Sequence, residues 1–111
     1  MGRSVERAAK NEATFRRANE ILEEKAGDLG LSDERTQYLC ECQDERCTAV
    51  IRLTREEYEA VRAHPTRFVM APGHQEAGQR VLQEEPGFTV IEKHGEEGDL
   101  VAEKDPRSAS A

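Results

Sequence analysis

Tryptophan is absent, and the five aromatic residues in 111 positions are two tyrosines and three phenylalanines. A large aromatic core is therefore excluded, and a chain of this length has little core to spare. No apolar run approaches the ~20 residues needed to span a bilayer. No apolar stretch of the kind that forms a secretory leader follows Met1. Basic charge is also in deficit, with 16 Lys and Arg against 23 Asp and Glu and a formal net charge of -7. No Lys/Arg run is longer than the pair Arg16-Arg17. A nucleic-acid reader needs a basic face for phosphates, so that class is disfavoured. Glycine-rich phosphate loops, nucleophile elbows and H-E-x-x-H helices are missing too, which points away from an enzyme. The expectation is a cytoplasmic protein, with no membrane association, whose thiols stay reduced.

What is present begins with charge. Charged residues make up 35% of the chain, too many for a membrane protein. The 36% that are hydrophobic are clustered enough to exclude full disorder. Residues 4–29 carry Ala8, Phe15, Ala18, Leu22, Ala26 and Leu29 at sevens, threes and fours, with Ile21 widening the stripe. That period predicts a long amphipathic helix whose apolar stripe covers the core. The same spacing is coiled-coil-like, so a homodimer through this helix is the alternative use of the stripe. Gly27 and Gly30 are natural stops. Arg3, Arg7, Lys10, Arg16 and Arg17 make the helix locally basic, which favours a protein partner with acidic patches.

Residues 36–42 and 48–53 read as the two strands of a hairpin. Thr54-Arg55-Glu56-Glu57 is a capping box, opening a second helix over residues 54–64 with Tyr58, Val61 and the Arg62 stem inward. Pro65 ends that helix. Residues 67–71 form a short strand, and Pro72-Gly73 a turn that presents His74. A helix over 76–85 competes with a strand over 79–83, and the strand is preferred because Pro86-Gly87 and the clear strand 88–93 follow. Residues 95–111 hold little to bury and are expected to be a disordered tail.

All three cysteines lie within C-E-C-x4-C, as Cys40, Cys42 and Cys47. An odd number of thiols argues against a disulfide framework. Thiolates are the preferred ligands of zinc, and a structural site closes with four protein donors. Cys40 and Cys42, two apart on a strand, point the same way, and Cys47 returns just beyond the turn. Three donors then come from one local element at small loop-closure cost. His74 is the leading fourth ligand, with His64, Asp44, Glu45 and Glu41 as alternatives. One structural Zn2+ held by Cys40, Cys42, Cys47 and His74 would staple a thin core. Arg46 is placed to screen the thiolates.

Two other chemistries compete. Cys42 and Cys47 flank the turn and could form a reversible disulfide, with Arg46 favouring a reactive thiolate, as in a redox sensor. A weaker alternative is an open zinc site with Glu76 or Asp44 as general base in a metal-dependent hydrolase. His64 serves more simply at a helix C-terminus, and His94 borders the tail in solvent.

The order F-R-R-A-N-E at 15–20, C-E-C-x4-C at 40–47, L-T-R-E-E-Y-E-A-V-R at 53–62, R-F at 67–68, P-G-H at 72–74 and V-I-E-K at 90–93 resembles a group of small uncharacterised bacterial proteins. The resemblance spans residues 11–93. It implies that Cys40, Cys42, Cys47 and His74 belong to one recurring pattern, and it implies no activity, substrate or partner. The chain departs from the group at Gln75, where the pattern carries an acidic residue.

Together these readings predict an α+β fold: a long N-terminal helix on a small antiparallel sheet with a short second helix, as one domain over residues 1–94. The expected function is a non-enzymatic, zinc-stabilised regulatory module that binds another protein.

Overall fold

The computed structural model describes residues 2–30, 35–42, 44, 46–77 and 79–106, with side chains from residue 7 onward. The fold is α+β. A long helix α1 (Gly2–Asp28) precedes strands β1 (Thr36–Leu39) and β2 (Val50–Leu53). Helix α2 (Arg55–Arg62), strands β3 (Arg67–Met70), β4 (Arg80–Glu85) and β5 (Phe88–Glu92), and helix α3 (Gly95–Glu103) follow. No helix among the described residues is long and apolar enough to cross a membrane.

The strands form two antiparallel sheets rather than one: a β1–β2 pair and a three-stranded sheet in the order β3-β5-β4. The first strand stops at Leu39, short of the expected Cys42, because the chain changes partner there. The Cys40 amide still donates to the Ala49 carbonyl at 3.2 Å, but the Glu41 amide donates to Val69 on β3 at 2.8 Å. Residues 40–41 thus stitch the two sheets together. The strand reading of the segment before Pro86 holds, with β4 occupying Arg80–Glu85.

Helix α2 begins as its sequence requires. The Thr54 hydroxyl accepts from the Glu57 amide at 3.0 Å, and the Glu57 carboxylate accepts from the Thr54 amide at 2.8 Å. Tyr58, Val61 and Arg62 face inward. Tyr58 stacks on Tyr38 with ring centroids 4.5 Å apart. Around that pair Ile51, Leu53, Val61, Val69, Phe88 and Val90 form one apolar cluster. A second cluster gathers Ala9, Phe68, Met70, Ile91 and Val101 with Cys40 and Cys42.

Helix α1 overturns the expected stripe. Among its described side chains the buried ones are Ala9, Glu12, Arg16, Asn19, Glu23 and Ala26, so a mainly polar heptad faces inward. Of the apolar stripe only Ala26 is buried, while Ile21, Leu22 and Leu29 are 56%, 38% and 72% exposed. The reason lies in what the helix packs against. The apolar clusters are largely satisfied by the sheets and α2, whereas the surface left for α1 carries carbonyls, a carboxylate and a lysine. Arg16 donates to the carbonyls of Pro65 (2.7 Å) and Arg67, and its guanidinium lies 3.6 Å from the centre of the Phe68 ring. Asn19 pairs with Leu39 in both directions, accepting from its amide at 2.7 Å and donating to its carbonyl at 2.9 Å. Glu12 binds the buried Lys93 ammonium at 2.7 Å.

Gly27 lies inside α1 rather than ending it. A Cβ there would come within 3.0 Å of the Arg55 guanidinium. Gly30, at φ +72°, supplies the left-handed stop.

The C-terminal segment is a second correction. Residues 95–103, expected in a disordered tail, form α3, which packs on α1. Val101 is buried, and Gly98 sits so close to the Lys93 carbonyl that a Cβ would approach it to 2.8 Å. Beyond the helix, buried Asp105 forms a two-pronged pair with Arg62, one prong at 3.1 Å, and lies 3.5 Å from Arg16. Ion pairs of Asp105 and the burial of Val101 in the second apolar cluster together anchor this segment. Residues 107–111 of the expected tail lie outside the described residues.

Candidate metal centre

Three short devices assemble the site. Cys40 leaves β1 with its own amide bound to Ala49, just before β2, and that of Glu41 bound to Val69 on β3, which fixes the backbone on both sides of the thiol. Side chains of an extended chain alternate, so Cys40 and Cys42 turn one way and Glu41 the other. The loop that returns Cys47 is held by Asp44. Its carboxylate accepts from the Arg46 amide at 2.9 Å and its carbonyl from the Cys47 amide at 3.0 Å, an Asx-type turn. His74 sits at the fourth position of a turn in which its amide donates to the Ala71 carbonyl at 3.0 Å. Pro72 presets the turn, and Gly73, at φ +86°, takes the position where a side chain is disfavoured.

These devices bring all four expected ligands together. The Nδ1 atom of His74 lies 3.5 Å from the sulfurs of both Cys40 and Cys47. One donor atom from each of Cys40, Cys42, Cys47 and His74 lies within 4.8 Å of every other. The group can hold a metal ion. With metal–sulfur bonds of about 2.3 Å and metal–nitrogen bonds of about 2.0–2.1 Å, a tetrahedron places nitrogen and sulfur roughly 3.5 Å apart. The His74 edges match that spacing.

The environment is graded from inside to outside. Cys40 and Cys42 are buried, Cys47 is half-buried and His74 is exposed. Burial pushes the Cys40 thiol up to about 12, although the Ala71 amide donates to its sulfur at 3.2 Å and works the other way. Burial also pushes Cys42 upward. Without a cation these thiols hold their protons, so the pocket makes neither an activated nucleophile of the kind that low-pKa cysteines provide. A divalent cation is the charge that makes buried thiolates favourable. The three cysteines are free.

The other proposed ligands fall elsewhere. His64 is exposed at the end of α2, Asp44 is exposed and occupied by its turn, and neither joins the group. Glu41 points away from the thiols. Glu45 lies outside the described residues. Arg46 and Glu76 are exposed, and His94 is exposed at the N-terminus of α3. Were all four donors to bind one tetrahedral ion, its shell would be complete, with no position left for a catalytic water.

The residue that periodicity undervalued is Glu41. Weighed from the sequence only as an alternative ligand, it is fully buried. It accepts from Asn19 at 2.9 Å, from the Tyr58 hydroxyl at 2.8 Å and from the Val69 amide at 3.3 Å, with the Arg16 guanidinium 3.9 Å away. Burial, then the adjacent Glu41 charge, push the Tyr58 phenol upward, so it stays protonated and can donate. A signal for this network exists in the sequence: Glu12, Arg16, Asn19 and Glu23 recur at four, three and four. A search confined to apolar periodicity passes over it.

No family model, curated protein or solved structure matches this chain.

Proposed function

We propose that the protein is a zinc-stabilised, non-enzymatic module in which Cys40, Cys42, Cys47 and His74 hold one structural Zn2+. The observation that carries this reading is the convergence of the His74 Nδ1, 3.5 Å from two of the sulfurs, on a triad fixed by three separate turns and strands. Three thiolates and one neutral imidazole favour zinc over harder cations, which prefer all-oxygen shells. The metal would join the C-E-C segment and the adjacent Cys47 loop to the Pro72-Gly73 turn, whose His74 lies 27 positions beyond Cys47. It would also sit beside the second apolar cluster, stapling a small core. The reading of a protein-binding, regulatory role rests on the lack of catalytic constellations and on apolar side chains left on the surface of α1.

Native mass spectrometry of protein purified under reducing conditions should give one zinc per chain. A chain that is fully folded with no metal, and that gains none on zinc addition, would refute the proposal.

A second reading has one observation in its favour. Cys47 is only half-buried and His74 is exposed, so an oxidant can reach the outer half of the site. Zinc release under mild peroxide, reversed by a thiol reductant, would mark the site as a redox sensor using Cys42 and Cys47.

A further inference from the structure

Helix α1 puts its charges inward and several of its largest apolar side chains outward. Ile21, Leu22 and Leu29 are exposed, and Phe15 and Ala18 are half-buried. On a helical projection Ala18, Ile21, Leu22 and Leu29 share one outer face, which also carries Thr14 and Lys25. The helix of 27 residues is about 40 Å long at 1.5 Å per residue, and the molecule's longest extent is 43 Å. The apolar residues of this face cover its C-terminal part, from Ala18 to Leu29, about 17 Å at the same rise.

Charge along the face selects its occupant. Among the described side chains, the exposed charged residues between positions 7 and 17 are Arg7, Lys10 and Arg17, all basic. Those of the C-terminal half are Glu24, Lys25 and Asp28, mostly acidic. A parallel copy would set basic half against basic half. An antiparallel copy matches opposite signs twice over, because a two-fold axis repeats every contact. Placing that axis between Ala18 and Ile21 sets Arg17 beside Glu24 of the second copy and Lys10 beside its Asp28. Ala18 then meets Ile21 at the centre, and Lys25 falls opposite the neutral Thr14.

We propose that the outer face of α1 is an antiparallel homodimer interface, centred on Ala18 and Ile21 and registered by Arg17–Glu24 and Lys10–Asp28 pairs. It needs nothing from the metal reading. The cysteine cluster and the outer face of α1 are separate features, and that axis overlaps residues 11–28 of the two helices, about 27 Å, enough to bury the roughly 1,000 Å² that a specific interface requires. The ion pairs are exposed and serve mainly to fix direction and partner, while the apolar centre supplies affinity.

The test is sedimentation equilibrium of the full chain as purified, across micromolar concentrations. The expected result is twice the 12.5 kDa chain mass, with weaker association at high salt. Ile21→Glu should weaken the dimer by about a hundredfold or more, since each dimer loses two buried isoleucines and gains two charges at the axis. Arg17→Glu should also weaken it, and Arg17→Glu combined with Glu24→Arg should restore it. All these positions are exposed in the single chain, so circular dichroism and zinc content should be unchanged. A chain that stays monomeric throughout overturns the proposal. So does a dimer indifferent to Ile21→Glu, or a charge swap that folds but fails to restore association.

Discussion

The Tyr58 hydroxyl donates to the Glu41 carboxylate at 2.8 Å, and Glu41 stands between the two most deeply buried thiols of the candidate site. One tripeptide therefore serves two structures. Its cysteines face the metal position, while its glutamate ties α1, α2 and β3 together through Asn19, Tyr58 and Val69.

Cutting that link should be felt on both sides. Glu41→Ala leaves Arg16 facing a lost carboxylate in the interior, a change that typically costs about 3–5 kcal/mol. Tyr58→Phe should cost about 1–2 kcal/mol, since it removes a single buried hydrogen bond. Urea unfolding of both single variants and the double should show them coupled rather than additive. Zinc affinity of Glu41→Ala should fall at least about tenfold, as when the groups that orient metal ligands are removed.

Ligand substitutions should rank by depth. Cys47→Ser removes one donor from a closed shell, so metal content should drop well below one per chain and the melting temperature should fall. Cys40→Ser and Cys42→Ser should be worse, because both thiols also belong to the second apolar cluster. A strong chelator should bring the wild-type melting curve down towards that of Cys47→Ser, and leave Cys47→Ser itself nearly unchanged.

The Glu12–Lys93 pair makes a pH prediction. Burial raises the Glu12 carboxyl from 4.5 to about 7, against the pull of Lys93 and Arg16 and with a small push from Glu97. Because the folded value is the higher one, the folded state binds more protons between pH 4.5 and 7. Stability from this group is therefore full below about 4.5 and is lost as pH rises through 7, by about 3 kcal/mol in all. Glu12→Gln cannot titrate. The stability of wild type relative to Glu12→Gln should decline across that window and level off above it. Taking the difference removes the opposite pH dependence that metal binding adds to both proteins.

The C-terminal segment should prove structural. Asp105→Ala strips the buried Arg62 of its two-pronged partner and should destabilise the fold by about 3 kcal/mol. Gly98→Ala forces a Cβ against the Lys93 carbonyl and should cost about 1–3 kcal/mol, despite alanine's higher helix propensity. An unchanged urea midpoint in both variants would mean that α3 does not pack as described.

Short-range chemistry made much of this protein legible before any coordinates. The capping box at Thr54, the turn at Pro72-Gly73 and the alternation of Cys40 with Cys42 are all decided within a few residues, and they appear where expected. That Cys40, Cys42, Cys47 and His74 converge was also readable, because the donors are chemically distinctive and few.

What the sequence alone could not decide was which face of α1 turns inward. Apolar periodicity chose one stripe and the fold buried the next, where Arg16 and Asn19 meet carbonyls and Glu41 that belong to distant strands. The same holds for Asp105, a tail residue by composition, which is buried because Arg16 and Arg62 converge on it from two helices. A charged side chain is buried only when its partners are already in place, and those partners exist only once the whole chain has folded.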